Sequence, residues 1–169
     1  VQNLEKRSHL IENLCLMTES ISKPNKLQIS TIGRLHIEFS DEAGLLHVGS
    51  GMNAYLLPSS AYKRAIFEQH FILSFIGEAY DLKVSGVLFD CIRFQKPLLA
   101  LRCHSTEFFL EKYGRVGELF NSVEEMAEAV SSYIKSPPQK MYQRMLFNLA
   151  KARDIGDQDN DLLAIGQKQ

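Results

Sequence analysis

The hydrophobic positions of this chain change period several times along its length, and each change marks an element. Leu4, Leu10, Ile11, Leu14 and Met17 recur at helical spacing, which predicts a first helix over residues 3–21. "SKPNK" breaks it, and "LQISTIG" then alternates as a strand ending at Gly33. Residues 34–52 hold no clean period; "SDEAGLLHV" reads as a short helix capped by Ser40 or as an irregular excursion. "NAYLLP" predicts a brief strand stopped by Pro58, and "SSAYKRAIFEQ" a helix with Ser59 or Ser60 at its N-cap. "HFILSFI" is continuously apolar, the pattern of a parallel strand covered on both faces.

After the loop "EAYDLKV", "SGVLFDCIRFQ" predicts a helix and "PLLAL" a second buried strand. "TEFFLEKYG" follows as a helix closed by Gly114, and "GELF" as a short strand. "SVEEMAEAVSSYI" opens with a capping-box pattern, Ser122 and then Glu125. "PPQKMYQRMLFNLAKARDI" sets prolines in the first turn of a last helix. That helix carries Met141, Met145, Leu146 and Leu149 on one face, suited to its own core or to a partner.

Strands alternating with helices over short links predict an α/β fold, a Rossmann-like, doubly wound parallel sheet flanked by helices. One domain is expected over residues 1–155, with an acidic, polar C-terminal tail over 156–169. The chain opens on a helix and without a methionine, so a preceding segment is expected. Ligands of such sheets bind beyond the carboxyl ends of the strands, which directs attention to the loops after Gly33, Leu57, Ile76 and Leu101.

Composition narrows the chemistry. A net charge of -1 across 169 residues argues against nucleic acid as a partner. No apolar run reaches the roughly 20 residues that span a bilayer. Cys15, Cys91 and Cys103 lack metal-ligand spacing and read as buried, reduced thiols of a cytoplasmic protein. His9, His36, His47, His70 and His104 form no HxH or HExxH pattern, so no metal is expected. P-loop, dinucleotide and serine-hydrolase motifs are all missing from the sequence. Phe71, Phe75, Phe89, Phe94, Phe108 and Phe109 read as core.

One stretch does carry chemistry. Ser85-Gly86 opens a helix after a strand and a loop, and the free N–H groups and positive dipole end of such a helix suit a phosphate. Ser85 can cap the helix or bond an anion, and Gly86 permits close approach to the backbone. Asp90, about one turn on, is a natural bidentate acceptor for the vicinal hydroxyls of a ribose. The plainer reading is a serine cap and an acid solvated on the outer face. Between Lys83 and Arg115 six Lys/Arg face three Asp/Glu, a balance that favours an anionic ligand. His104, after the strand "PLLALRC", could line the same cleft.

The order of these pieces resembles the carboxy-terminal half of a GT-B glycosyltransferase. The family's strand ending in "LP" corresponds to Leu57-Pro58, its "PY" loop to the region of Tyr80, and its "SGVLxDA" helix to Ser85-Gly86-Val87-Leu88 with Asp90. Its "GKPVIA" corresponds to Lys96-Pro97-Leu98-Leu99-Ala100, and "YGxxGxLF" to Tyr113-Gly114 with Gly117-Glu118-Leu119-Phe120. "SxEELAEAI" matches Ser122-Val123-Glu124-Glu125. The resemblance covers roughly residues 54–134 in the same order. Two positions depart from it. The second acid of many retaining members is replaced by Leu82, and Gln95 stands where a glycine is usual.

The resemblance implies one half of a GT-B fold that binds a nucleotide-diphospho-sugar donor for transfer to an acceptor hydroxyl, without a metal or other cofactor. By match, Ser85, Gly86 and Val87 would face the diphosphate and Asp90 the ribose; Leu57-Pro58 would meet the base, with Tyr80 nearby. Gly33 and Arg34 would form the family's glycine loop, with a cation beside phosphate. An N-terminal acceptor-binding domain would complete the enzyme, and the full-length protein could sit peripherally on the inner face of a membrane. Two other readings stand beside this one: a non-catalytic nucleotide- or phosphate-binding module, and a protein-interaction domain of the same fold.

Overall fold

The computed structural model describes residues 2–19, 27–32, 46–48, 58–75 and 85–166. In chain order they form α1 (Gln2–Glu19), β1 (Ser30–Ile32), β2 (Leu46–Val48), α2 (Ser59–Phe67), β3 (Ile72–Ser74) and α3 (Gly86–Phe94). There follow β4 (Leu98–Leu101), α4 (His104–Tyr113), β5 (Gly117–Phe120), α5 (Val123–Lys135) and α6 (Gln139–Gly166). The packing divides them into two compact units, one of residues 1–70 and 120–138, the other of residues 71–119 and 139–169.

In the first unit β1 and β2 pair in parallel, with Ser30 opposite Leu46 and Ile32 opposite Val48. The strand at 46–48 falls inside a stretch expected to be a short helix or irregular; three residues of "LHV" suffice once a parallel partner satisfies their backbone. The strand expected at "NAYLLP" lies outside the described residues up to Leu57. α1 packs on α5. Each helix offers an apolar stripe, with Leu14 and Cys15 buried on α1, and Met126, Ala127 and Val130 on α5. Thr18 is buried too, its hydroxyl donating back to the Leu14 carbonyl at 2.8 Å.

Two helix starts differ from expectation. Pro58, not Ser59 or Ser60, occupies the N-cap of α2, because its fixed φ of -53° already leads the chain into the helix. The prolines before α6 precede the helix, which begins at Gln139. α5 starts as expected, with Ser122 Oγ accepting from the Glu125 amide at 3.2 Å. Glu125 reaches back one residue further than an ordinary capping box, accepting from the Asn121 amide at 2.7 Å.

The second unit holds an open, parallel three-stranded sheet in the order β3-β4-β5, flanked by helices. Ile72 lies opposite Leu98 and Ser74 opposite Ala100. One face of this sheet is covered by a core that joins Leu98 and Ala100 to Leu88, Cys91 and Ile92 of α3, Phe109 of α4, and Leu149 and Ala152 of α6. Leu149 and Ala152 of α6, with Leu146 beside them, therefore pack within their own unit. That helix also continues without a break to Gly166, so residues 156–166, expected as part of a polar tail, are helical.

β4 and β5 approach so closely that a Cβ on Gly117 would come within 2.6 Å of the Leu98 Cβ and strike the Leu98 carbonyl; no other residue fits there. Of the phenylalanines, Phe75, Phe94 and Phe109 are buried and Phe71 sets its ring edge-on to Tyr142 at 5.2 Å. Phe89 and Phe108 are half-exposed, contrary to expectation. Each adjoins a residue that faces the core, Leu88 and Phe109, and successive helical residues point about 100° apart. All three cysteines are buried and free, as expected of structural thiols.

Candidate functional site

Because β3 and β4 run parallel, α3 between them must run back along the sheet, which puts its first turn at the carboxyl edge. α4 follows β4 in the same way, so its N-terminus also lies at that edge.

Ser85 is the N-cap of α3, extended at φ -75° and ψ 139°, and its side chain makes no capping hydrogen bond. Its carbonyl accepts from the Leu88 amide at 3.0 Å. The amides of Gly86 and Val87, at the first two helical positions, have no carbonyl within their own helix to bond. Among the described residues a Cβ added at Gly86 would meet nothing within 4 Å, and the Gly86 φ is not positive. Asp90 follows Gly86 by four residues and so lies one turn above it on the same face.

The burial pattern of α3 fixes that face. Leu88, Cys91, Ile92 and Phe94 are buried, while Gly86, Val87, Phe89 and Arg93 are exposed and Asp90 is half-buried. The charge of Asp90 reaches inward as well. Burial first, and then that neighbouring carboxylate, push the Cys91 thiol far above its ordinary range. The Cys91 sulfur donates to the Val87 carbonyl at 3.3 Å, one turn back.

At the far end of α3, Gln95 takes the left-handed conformation, φ 55° and ψ 45°. Lys96 donates to the Cys91 carbonyl at 3.0 Å and Gln95 to that of Ile92 at 3.3 Å, the pair of bonds that closes a helix in a Schellman motif. Such a position favours glycine. Here Gln95 Nε2 offsets some of the strain with a bond of 3.2 Å to the Ile92 carbonyl.

The second helix mouth is built differently. Thr106, fully buried, accepts from the Cys103 amide at 3.0 Å and donates to the carbonyls of Cys103 and Leu101 at 2.9 and 3.1 Å. Its polar groups are thus consumed by holding α4 against the end of β4. His104 is exposed as the first residue of α4, flanked by the ion pair of Arg102 and Glu107 at 2.9 Å.

Of the residues expected to form the site, Ser85, Gly86, Val87 and Asp90 come together on the first turns of α3. Pro58 caps α2 in the other unit. Gly33, Arg34, Leu57 and Tyr80 lie outside the described residues. A shallow hollow of about 370 Å3 on one face of α2, with Ser60, Arg64 and Glu68 in its lining, includes none of the expected residues. The sequence reading passed over Ser74, a buried hydroxyl at the last position of β3. Its signal was a lone polar residue inside "HFILSFI".

Among the described residues no group of three or more His, Cys, Asp or Glu side chains is placed to hold a metal ion. Among them, too, no helix is long and apolar enough to cross a membrane. No protein-family model, curated protein or solved structure matches this chain.

Proposed function

We propose that the second unit is the donor-binding part of a GT-B glycosyltransferase and holds a nucleotide-diphospho-sugar at the mouth of α3. The observation that carries this reading is Gly86. Its φ is not positive and, among the described residues, no neighbouring atom calls for a glycine there, so neither turn geometry nor the packing they show accounts for it. A ligand that needs to approach the backbone does. Ser85, with no capping bond of its own, and the amides of Gly86 and Val87 offer donors to a diphosphate, and the dipole of α3 favours its charge. Asp90, one turn above, takes the ribose hydroxyls. The left-handed Gln95 supports the same likeness, since the family carries glycine at that position and this backbone favours one.

In transfer, the acceptor oxygen bonds to the anomeric carbon as that carbon's bond to the diphosphate oxygen breaks. The electron pair and charge leave on the diphosphate, where the helix N–H groups meet them without a metal. The acceptor's proton passes to a base that a separate acceptor-binding domain supplies. Leu82, in place of a second acid, favours a second reading in which the unit binds the nucleotide and catalyses nothing.

Thermal-shift titration with uridine, guanosine, adenosine and thymidine diphosphates tests the proposal. At least one should raise the unfolding temperature, with and without EDTA, and Asp90→Ala should abolish the rise while folding normally. Absence of a shift with all four would remove the donor site.

A further inference from the structure

Ser74 is only 4% exposed, and among the described residues its hydroxyl makes no hydrogen bond. It ends β3 at the carboxyl edge of the sheet. Strand alternation and the pairing of Ile72 with Leu98 and Ser74 with Ala100 set it on the face that α3 covers through Leu88, Cys91 and Ile92. Across the strand Ala100 offers only a methyl group. A hydroxyl taken out of water without a partner is a cost, and no bond among the described residues offsets it here. Above the same edge stands the first turn of α3, where the Gly86 and Val87 amides have no acceptor in their own helix, the Ser85 side chain makes no capping bond and, among the described residues, nothing crowds Gly86.

We infer that Ser74 is a further ligand contact, its hydroxyl donating to an anionic oxygen of the diphosphate held by the first turn of α3. The inference rests on the reading that this helix mouth takes a nucleoside diphosphate. It adds a donor from the strand below to those of the helix. A diphosphate is then gripped from two elements, and the hydroxyl finds its acceptor only when ligand is bound.

Calorimetry and thermal unfolding of the full chain and its Ser74→Ala variant test this, with inorganic pyrophosphate as the probe and the four nucleoside diphosphates beside it. Ser74→Ala should unfold at the same temperature as the wild type or higher, and should bind pyrophosphate about tenfold more weakly, the loss of one hydrogen bond to a charged group. Equal affinity in the two proteins would overturn the inference, as would failure of the wild type to bind pyrophosphate. A drop of several degrees in the ligand-free variant would also overturn it, by showing that the hydroxyl serves the fold. If Ser74→Ala weakens pyrophosphate but no nucleoside diphosphate binds more tightly than pyrophosphate, Ser74 stands and the nucleotide-sugar reading falls. If nucleoside diphosphates bind both proteins equally, the reverse holds.

Discussion

Asn148 of α6 donates from Nδ2 to the backbone carbonyl of Arg115 across 3.0 Å, tying the last helix to the turn between α4 and β5. That turn includes Gly114 at φ 77°, whose missing Cβ would stand 3.6 Å from the Asn148 amide nitrogen. The bond joins residues far apart in sequence and adds to the core contacts that Leu149 and Ala152 make from the same helix. Asn148→Ala should lower stability by about 1 kcal/mol, read as a shifted urea midpoint.

The tight pairing of β4 and β5 at Gly117 predicts a larger effect. Gly117→Ala must displace backbone at Leu98, since the clash is with a carbonyl and a Cβ rather than a flexible side-chain end. It should cost about 1–3 kcal/mol. Equilibrium unfolding checks this; a variant as stable as the wild type would show that the strands can part.

Gln95 predicts the opposite sign. Gln95→Gly places glycine where the chain is left-handed and should stabilise by about 1 kcal/mol, reduced by loss of the Nε2 bond to Ile92. The expected result is a higher midpoint with an unchanged denaturant slope.

The buried thiols predict a decline in stability at alkaline pH. Burial pushes Cys15 up to about 11 and Cys91 further, each from an ordinary value of 9.0. Above pH 9 the unfolded thiols lose protons that the folded chain keeps. Stability is therefore complete below pH 9 and falls as the pH rises beyond it, by about 1.4 kcal/mol per pH unit for Cys91 alone. Urea midpoints at pH 8 and pH 10 measure the slope. Cys91→Ala should be less stable at pH 8 and lose less on going to pH 10.

Much of this arrangement was legible in the sequence, for identifiable reasons. β4 announced itself as a short apolar run because its successive residues Leu98, Leu99 and Ala100, which alternate between the two faces of the sheet, are all buried. α5 announced its start through Ser122 and Glu125, whose side chains close bonds within one turn. What the sequence concealed depends on neighbours. β2 exists through its pairing with β1, and α6 extends past an acidic run whose composition suggested a tail. Phe89 and Phe108 could not be placed by hydrophobicity, because exposure depends on which way a helix turns toward its sheet. At the proposed site, Ser85, Gly86 and Asp90 were visible because their spacing lies within one helix. Ser74 was not, because its relation to α3 runs through the crossover.

The central claim is a diphosphate site at the mouth of α3, and Gly86→Ala tests it most directly. Among the described residues no atom crowds the added methyl, and alanine favours the helix, so the variant should unfold at the same temperature as the wild type or slightly above. Isothermal calorimetry with the nucleoside diphosphate that binds the wild type most tightly should then show an affinity at least about tenfold lower, since the methyl stands where the phosphate meets the backbone. Wild-type affinity in a normally folded Gly86→Ala protein would contradict the account, as would a wild type that binds no nucleoside diphosphate.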